Sequence, residues 1–476
     1  MEPAFFEEMT VRDLLRAMAT GPLTAEELTI RCLERIERLN PVLHAVITVN
    51  PAARAQAREI DRRRASGAPL GPLTGIPVLV KDNIEALGLP TTAGSEALRG
   101  ALPSHDAELV ARLRRAGAII LGKTNMSEWA GYRSNAVPHG WSPVGGQTRN
   151  PYVLDRTPLG SSSGSAVAAA TGMAPVTIGT ETFGSIISPA ATNAVVGFKP
   201  SLGRVSGAGT VPLSRRQDIA GPITRNVADA AAVFKVIATP RRTPRLETGL
   251  APGTTIGVWS GIRRGESHPD VDRVLAEATA KLHELGVTTV AVDLPVPDAS
   301  SLLDHEFKVG INAYLNSVGG DRPHDLAELI AFDRDHPAER ASDYGLTKLE
   351  EAQESGDVRS SRGYLKERDR IIEETCGGID RLFTRHRLDA IMAPSNARAP
   401  EISERDHPWV HSCTPAAVGG YPSITVPAGY ADRRLPLGVS FIGRRNRDEE
   451  LLGLARSFEQ ATRARKRPLY LPTLTV

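Results

Sequence analysis

Three residues of the 476-residue chain have types and settings that could support chemistry: Lys81, Ser161 and Ser185. Lys81 ends an uncharged run, Ile-Pro-Val-Leu-Val at residues 76–80. Ser161 lies in a Gly/Ser run at 160–165, and Ser185 closes a turn that contains glycines at 179 and 184. A serine in such a turn can act as a nucleophile, and a lysine can replace histidine as its base. The three residues therefore predict a serine nucleophile that is activated without histidine.

The lysine can accept a proton only when it is neutral, and burial lowers the pKa of a lysine toward about 7–8. Lys81 follows five uncharged residues, which is a setting that suits burial. Lys123 and Lys199 stand in similar apolar surroundings. By local context alone, all three lysines are candidates for the base.

The Gly/Ser run also admits a different interpretation. Residues 160–164 fit the Gly-x-Ser-x-Gly turn of α/β-hydrolases, which would make Ser162 the nucleophile. That mechanism needs an acid and then a histidine further along the chain. The available candidates are His386, His407 and His411, with Asp389 or Asp406. None of them follows the acid-then-histidine order after a convincing strand, so the pattern favours the lysine mechanism.

The stretch from residue 73 to 202 resembles the core of the amidase signature family. The family pattern has Lys-Asp after a strand, then Gly-Gly-Ser-Ser-Gly-Gly-Ser, Gly-Thr-Asp-x-Gly-Gly-Ser-Ile-Arg and Gly-x-Lys-Pro. The matching segments are Lys-Asp at 81–82, Gly-Ser-Ser-Ser-Gly-Ser at 160–165, Gly-Thr-Glu-Thr-Phe-Gly-Ser-Ile-Ile at 179–187 and Gly-Phe-Lys-Pro at 197–200. Within the family the chain is most similar to bacterial peptide amidases, through Thr-Asn-Met-Ser-Glu-Trp at 124–129 and Gly-Gln-Thr-Arg-Asn-Pro-Tyr at 146–152.

The resemblance implies roles for individual residues. Ser185 would be the nucleophile, and Ser161, after a cis peptide bond, would relay the proton between Ser185 and Lys81. Ser162 would bond the lysine or its own loop. The backbone N–H groups of Thr182, Phe183, Gly184 and Ser185 would form the oxyanion hole. Ala130 is a further position expected to contact the oxyanion or the substrate.

Two departures from the family pattern bear on the substrate. Family members that act on small carboxylated amides tend to have Arg after Gly-Gly-Ser-Ile, where it can clamp a carboxylate. This chain has Ile187 there, and Phe183 replaces a glycine of the turn. The resemblance therefore implies hydrolysis of a neutral amide, such as a peptide C-terminal carboxamide, through an acyl-enzyme that releases ammonia or an amine. The alternative is a biosynthetic acyl transferase, an amide-forming enzyme or an amidotransferase subunit with the same triad.

Composition argues against several other classes of protein. The net charge is only +2 and the basic residues are scattered, which disfavours a nucleic-acid partner. The three cysteines are far apart, so neither a disulfide framework nor a metal site is expected, and no cofactor is predicted. No apolar run approaches the ~20 residues of a membrane span, and the first residues lack a signal-peptide core. We therefore predict a cytoplasmic enzyme, a monomer or homodimer, with a small-molecule or peptide amide as its substrate and no membrane or nucleic-acid partner.

Strand and helix patterns alternate along the chain. Strands are predicted at 76–80, 118–122, 176–179, 256–260, 287–294, 390–393, 423–428 and 438–442, with helices at 106–116, 270–285 and 449–462. We expect one domain over residues 1–476 with the amidase signature fold: α/β, with a mixed, largely parallel central sheet covered by helices on both faces. Residues 1–70 would form a helical region that begins its main helix at a Thr24/Glu27 capping box. Residues 73–202 would be the catalytic core, and 299–376 a helical insertion that shapes the substrate entrance.

Overall fold

The computed structural model describes residues 8–239, 249–265, 268–340, 344–356, 362–404 and 409–474. Asp406 and His407 therefore lie outside the described residues, as does nearly all of the Pro/Arg-rich segment at 240–249. No helix within these ranges combines the length and apolar composition that crossing a bilayer requires.

Fifteen strands occur in the described ranges. They are β1 Val46–Val49, β2 Pro77–Lys81, β3 Ile119–Thr124, β4 Trp141–Ser142, β5 Gly146–Gln147, β6 Val176–Glu181, β7 Val196–Lys199, β8 Ile219–Thr224, β9 Thr255–Val258, β10 Ile262–Arg264, β11 Thr288–Ala291, β12 Ala390–Pro394, β13 Trp409–His411, β14 Ser423–Ala431 and β15 Leu435–Gly443. Eleven of them form one sheet in the order β1-β3-β2-β6-β8-β7-β14-β15-β12-β9-β11. All eight strands predicted from the sequence belong to this sheet, which confirms the mixed α/β architecture.

The sheet is less parallel than the sequence suggested. Six of its ten neighbouring pairs are antiparallel and four are parallel. Four of the six antiparallel pairs involve β1, β7 or β8, which were not predicted as strands. A further one is the β14–β15 hairpin, whose short turn permits only antiparallel pairing. The expected "largely parallel" sheet was thus wrong in its balance of strand directions.

Helices surround the sheet, and α5, α6, α7, α8 and α15 pack directly on its strands. The helices are α1 Val11–Thr20, α2 Ala25–Leu43, α3 Ala53–Ala65, α4 Glu108–Arg115, α5 Ser163–Ala170, α6 Ile187–Thr192, α7 Val227–Ile237, α8 Pro269–Glu284, α9 Ser300–Val318, α10 Leu326–Asp335, α11 Pro337–Arg340, α12 Thr347–Glu354, α13 Arg362–Arg385, α14 Cys413–Gly419 and α15 Asp448–Thr462.

The N-terminal region and the insertion differ in their secondary structure. The predicted capping box is present, because Thr24 accepts from the backbone of Glu27 and the Glu27 side chain accepts from Thr24. The region up to residue 70 is not purely helical, since β1 joins the sheet edge beside β3. The described residues between 300 and 376 are mainly helical and carry α9 to α12 and the start of α13.

The position of β2 explains where the site forms. This strand lies between β3 and β6, and all three run parallel. Every residue of β2 and β6 is buried, as the continuous apolar run at 76–80 predicts for a strand covered on both faces. Because the carboxyl ends of parallel strands meet at one edge, Lys81 at the end of β2 comes beside Thr180 at the end of β6.

Candidate active site

Lys81 is fully buried and contacts two elements at once. Its Nζ lies 2.8 Å from Ser161 Oγ, 2.9 Å from Thr180 Oγ1 and 3.3 Å from the Thr180 carbonyl oxygen. Burial lowers the pKa of Lys81 from 10.5 to about 7, while the charges of Asp218 and Glu181 oppose that shift. A large fraction of Lys81 is thus neutral near pH 7.

The three contacts orient the neutral amine. A neutral lysine has two N–H donors and one lone pair, and the Thr180 carbonyl can only accept. The Thr180 hydroxyl oxygen also accepts from Asn83 Nδ2 at 3.0 Å. When both N–H groups donate to Thr180, the lone pair remains for the Ser161 hydroxyl proton. The geometry therefore suits proton transfer from Ser161 to Lys81.

The two serine loops are held together by their backbones. The Gly160–Ser161 peptide bond is cis, as the resemblance implied. The N–H of Ser162 donates to the carbonyl of Ser185 at 3.2 Å, which joins the Gly/Ser run to the later turn. Ser161 is buried and Ser185 is half-buried. Lys81, Ser161 and Ser185 thus come from one strand end and two adjoining loops.

An acidic side chain binds the backbone immediately after Ser185. Glu181 Oε2 accepts from the N–H groups of Ile186 at 2.9 Å and Ile187 at 3.0 Å. Gly184 has φ +79°, and a Cβ there would lie 2.5 Å from Cys413 Sγ, so this position requires glycine. Glu181, where the family pattern has Asp, therefore fixes the entry to α6 immediately after Ser185.

Phe183 does not line the cavity beside the site. Its ring is partly buried and packs against an apolar cluster that includes Leu302 of α9 and Tyr364 and Ile371 of α13. The side chain therefore connects the turn before Ser185 to the helical insertion rather than narrowing the cavity that the other residues enclose.

A cavity of about 360 Å³ lies beside the lysine. Thr182 and Ala130, both predicted to bind substrate, line it together with Asn83 and Thr180. Ala130 has φ +58°, in a 3₁₀ turn at Glu128–Gly131. The other walls come from the segment after β7 and from β8, and their charged residues are Arg215 and Asp218. The rest are mostly apolar: Leu202, Val205, Val211, Pro212, Leu213, Ile219 and Ala220.

The helical insertion supports this cavity without lining it, as far as the described residues show. Phe307 and Ile311 of α9 pack in one cluster with Val211 and Leu213, which are cavity walls. Glu306 of α9 also bonds Arg216 at 2.7 Å. The role predicted for the insertion at the substrate entrance stays a prediction.

The competing serine and lysines have other partners. Ser162 is completely buried, donates to the Thr180 carbonyl at 3.0 Å and accepts from the Thr180 N–H at 3.2 Å.

The two competing lysines bind other groups. Lys123 Nζ lies 2.9 Å from Thr91 Oγ1 and forms an ion pair with Asp82 at 3.3 Å. The third lysine, Lys199, donates to the Tyr421 carbonyl at 2.6 Å. Of the three candidate lysines, Lys81 is the one that contacts Ser161.

The histidines offer no base for Ser162 within the described residues. His411 lies 3.4 Å from the thiol of Cys413 and stacks on Trp409, and burial lowers its pKa to about 4. His386 follows α13, where its N–H donates to the carbonyl of Leu382. The α/β-hydrolase interpretation therefore finds no histidine in contact with its serine.

Sequence reasoning missed three polar residues at this site: Asn83, Thr180 and Asp218. Thr180 binds the lysine, Asn83 binds Thr180, and Asp218 lines the cavity. Asn83 and Thr180 stand in the matched motifs, one residue past Lys-Asp and inside Gly-Thr-Glu, so the motifs could have indicated them. Asp218 precedes an unpredicted strand, and nothing in its local sequence marked it.

A second buried cluster joins the insertion to the turn that carries Ala130. Carboxylate oxygens of Glu128, Asp333 and Glu339 lie within 4.8 Å of one another. Arg133 Nη1 donates to both Glu128 and Glu339, so its guanidinium already supplies the cation of this cluster. Neither oxygen of Asp333 has a hydrogen-bond partner among the described residues. Burial, followed by the charge of Glu339, raises the pKa of Asp333 to about 8.

Asp333→Asn is expected to stabilise the protein. In the unfolded chain Asp333 is ionised above pH 3.8, whereas in the folded protein it keeps its proton to about pH 8. The wild type therefore loses stability as the pH rises from about 4 to 8, and the variant avoids this loss, which is on the order of a few kcal/mol. Thermal unfolding at a series of pH values should show a gain that grows to pH 8 and then levels off. Asp335→Asn, exposed on the same helix, is the matched control, and an equal gain in both variants would contradict the argument.

Known proteins with similar sequence and structure define the class. The family model described as Amidase matches residues 27–452. A probable amidase of Arabidopsis thaliana is 37% identical over 98% of this chain and 92% of its own length. A glutamyl-tRNA(Gln) amidotransferase subunit of Symbiobacterium thermophilum is 34% identical over 94% of this chain and 96% of its own length.

Solved structures agree with the sequence comparisons. The native peptide amidase of Stenotrophomonas maltophilia superposes with a TM-score of 0.90 at 42% identity, over 97% of this chain and 99% of that one. A peptide amidase in complex with the competitive inhibitor chymostatin matches with a TM-score of 0.90 at 41% identity, over the same shares. The chain belongs to the amidase signature family. It is an amidase, a hydrolase of linear amide C–N bonds, and the α/β-hydrolase interpretation was wrong.

Proposed function

We propose that this amidase hydrolyses a neutral amide, such as a peptide C-terminal carboxamide, through an acyl-enzyme on Ser185. Lys81 is the base and Ser161 the proton relay. The observation that carries the proposal is the 2.8 Å contact between Ser161 Oγ and a fully buried lysine that can be neutral at pH 7.

Each proton has a donor and an acceptor in this mechanism. Ser161 passes its proton to Lys81 and takes the proton of Ser185, whose oxygen attacks the amide carbon. The developing oxyanion is stabilised by backbone N–H groups of the turn at 182–185. The C–N bond then breaks, and ammonia leaves with the proton that Lys81 returns through Ser161. Water attacks the ester by the same relay and releases the carboxylic acid and Ser185.

The residues near Ser185 and the similar proteins support a neutral substrate. Ile187 is 1% exposed at the first position of α6, so the residue that replaces the family Arg offers no cation to a substrate carboxylate. The neighbouring cavity is lined mainly by apolar residues, and the cation in its lining, Arg215, has an exposed side chain. The similarity to peptide amidases, one of them bound to chymostatin, supports a peptide-like substrate. The position beside its scissile amide would carry no charge.

An amidotransferase component with the same triad is the second candidate. It is favoured by the similarity to the glutamyl-tRNA(Gln) amidotransferase subunit over 94% of this chain. It is disfavoured by Ile187, because glutamine carries a carboxylate that a cation would hold. The two candidates differ in whether the purified chain acts alone.

Incubation of the purified chain with a substrate panel tests the proposal. Peptide carboxamides are expected to release ammonia, with the free-acid peptide identified by mass spectrometry. Glutamine, alone or with an ammonia acceptor, is expected to react at least about tenfold more slowly, as the loss of one charged contact implies. Turnover of glutamine in preference to every carboxamide would contradict the proposal and favour the amidotransferase candidate.

A further inference from the structure

We infer that Asp218 is a positioning residue of this site: it fixes Thr182, the first residue of the turn at 182–185, and supplies negative charge beside Lys81. The inference rests on the proposed function and deepens it. Asp218 immediately precedes β8, and its side chain is half-buried on the wall of the cavity.

The contacts of Asp218 tie two cavity walls together. Its Oδ1 accepts from the hydroxyl of Thr182. Its Oδ2 accepts from the backbone N–H groups of Leu213 at 2.8 Å and Ser214 at 2.9 Å. The adjacent Gln217 donates from Nε2 to the Thr182 carbonyl at 3.2 Å. Thr182 is therefore held through both its hydroxyl and its carbonyl, which leaves little freedom to the peptide that follows it.

This attachment matters because the other contacts of the turn, in the described part of the chain, act on residues after Thr182. Glu181 holds the later residues, Ile186 and Ile187, and Phe183 packs on the insertion. Oxyanion donors must keep a narrow range of positions around the developing charge, since the loss of one donor costs about 10²–10³ in rate. Asp218 thus sets the start of the turn while Glu181 sets its end.

The charge of Asp218 acts on the base as well. Lys81 faces two acids, Asp218 and Glu181, and both favour its protonated form. Glu181 is partly neutralised by the nearby Lys199, and it is engaged with the backbone after Ser185. For Asp218, burial raises the pKa to about 6, and the hydrogen bonds from Thr182, Leu213 and Ser214 oppose this rise more than the charge of Lys81 does. The charges of Asp218 and Lys81 therefore each favour the ionised form of the other.

Two variants separate the effect of the Asp218 charge from the effect of its hydrogen bond to Thr182. Asp218→Asn keeps an oxygen acceptor for backbone N–H groups and removes the charge. Thr182→Val removes the hydroxyl that Asp218 holds and keeps the charge. Both are compared with the wild type through kcat, KM and the pH dependence of kcat/KM on a peptide carboxamide, and through the pH dependence of fluorophosphonate labelling of Ser185.

Asp218→Asn is expected to move the acidic limb of both pH profiles downward by about one unit, because an acid beside a lysine raises its pKa by that order. Its kcat is expected to fall about tenfold, since a lysine of lower pKa is a weaker base. Thr182→Val is expected to lower kcat about tenfold, with an unmoved acidic limb. In both variants KM should change less than kcat.

An Asp218→Asn enzyme with wild-type kcat and an unmoved acidic limb would overturn the inference. If the pH dependence of Ser185 labelling were also unchanged, a slow step after acylation could not be hiding an effect of the substitution on acylation. Circular dichroism of both variants checks that they are folded. A Ser185→Ala enzyme that retained turnover would instead overturn the proposed function, so the two failures are distinguishable.

Discussion

Ser185→Ala is expected to lower kcat/KM on a peptide carboxamide by about 10⁴-fold or more, because the acyl bond cannot form without the hydroxyl. The half-buried Ser185 joins the Gly/Ser run through a backbone hydrogen bond, so this connection does not depend on its side chain. Ammonia release and fluorophosphonate labelling, followed on the same preparation, measure the effect. Both are expected to be lost while the melting temperature changes little.

Ser162→Ala is the matched control for this prediction. Ser162 lies in the neighbouring loop and its hydroxyl bonds only backbone atoms of Thr180 among the described residues. Loss of two buried hydrogen bonds is expected to cost about 1–3 kcal/mol of stability. Labelling of Ser185 should persist in this variant. Labelling that survives Ser185→Ala and disappears in Ser162→Ala would assign the nucleophile to Ser162 instead.

Lys81→Met is expected to lower kcat/KM by about 10³-fold or more, since proton transfer by a positioned base contributes about 10²–10⁴ and the relay through Ser161 also stops. In the wild type, kcat/KM is expected to rise with pH through about 7, where Lys81 becomes neutral. A wild-type profile that is flat across the range from one unit below to one unit above that pKa would contradict a lysine base.

The stability of Lys81→Met separates lost chemistry from lost folding. Burial lowers the pKa of Lys81 in the folded protein from 10.5 to about 7, so folding excludes a proton that the unfolded chain retains. This destabilises the wild type most below pH 7, and the destabilisation disappears as the pH rises to 10.5. The variant should therefore be at least as stable as the wild type at pH 7, with an advantage that shrinks toward pH 10.5. An inactive variant that is less stable at pH 7 would instead point to misfolding as the cause.

Sequence patterns predicted the strands that carry the site better than the complete sheet. The run at 76–80 is apolar because β2 is buried on both faces, and such runs are visible in a sequence. β7 and β8 escaped prediction because β7 is only four residues long and β8 contains Gly221 and Pro222, which lower strand propensity. These two strands supply half of the antiparallel pairs in the sheet.

By itself, the sequence determined the chemistry available to this protein. Lys81, Ser161 and Ser185 stand in short motifs whose order and spacing are properties of the chain, and glycines mark the turns that hold the serines. Local context left three lysines open and the family resemblance selected Lys81, but the contact of that lysine with Ser161 is decided by the tertiary structure. Lys81, Lys123 and Lys199 are all buried at strand ends, and their different partners depend on which strands are neighbours. Asp218 joined the site for the same reason: β8 pairs with β6 through contacts that no local pattern records.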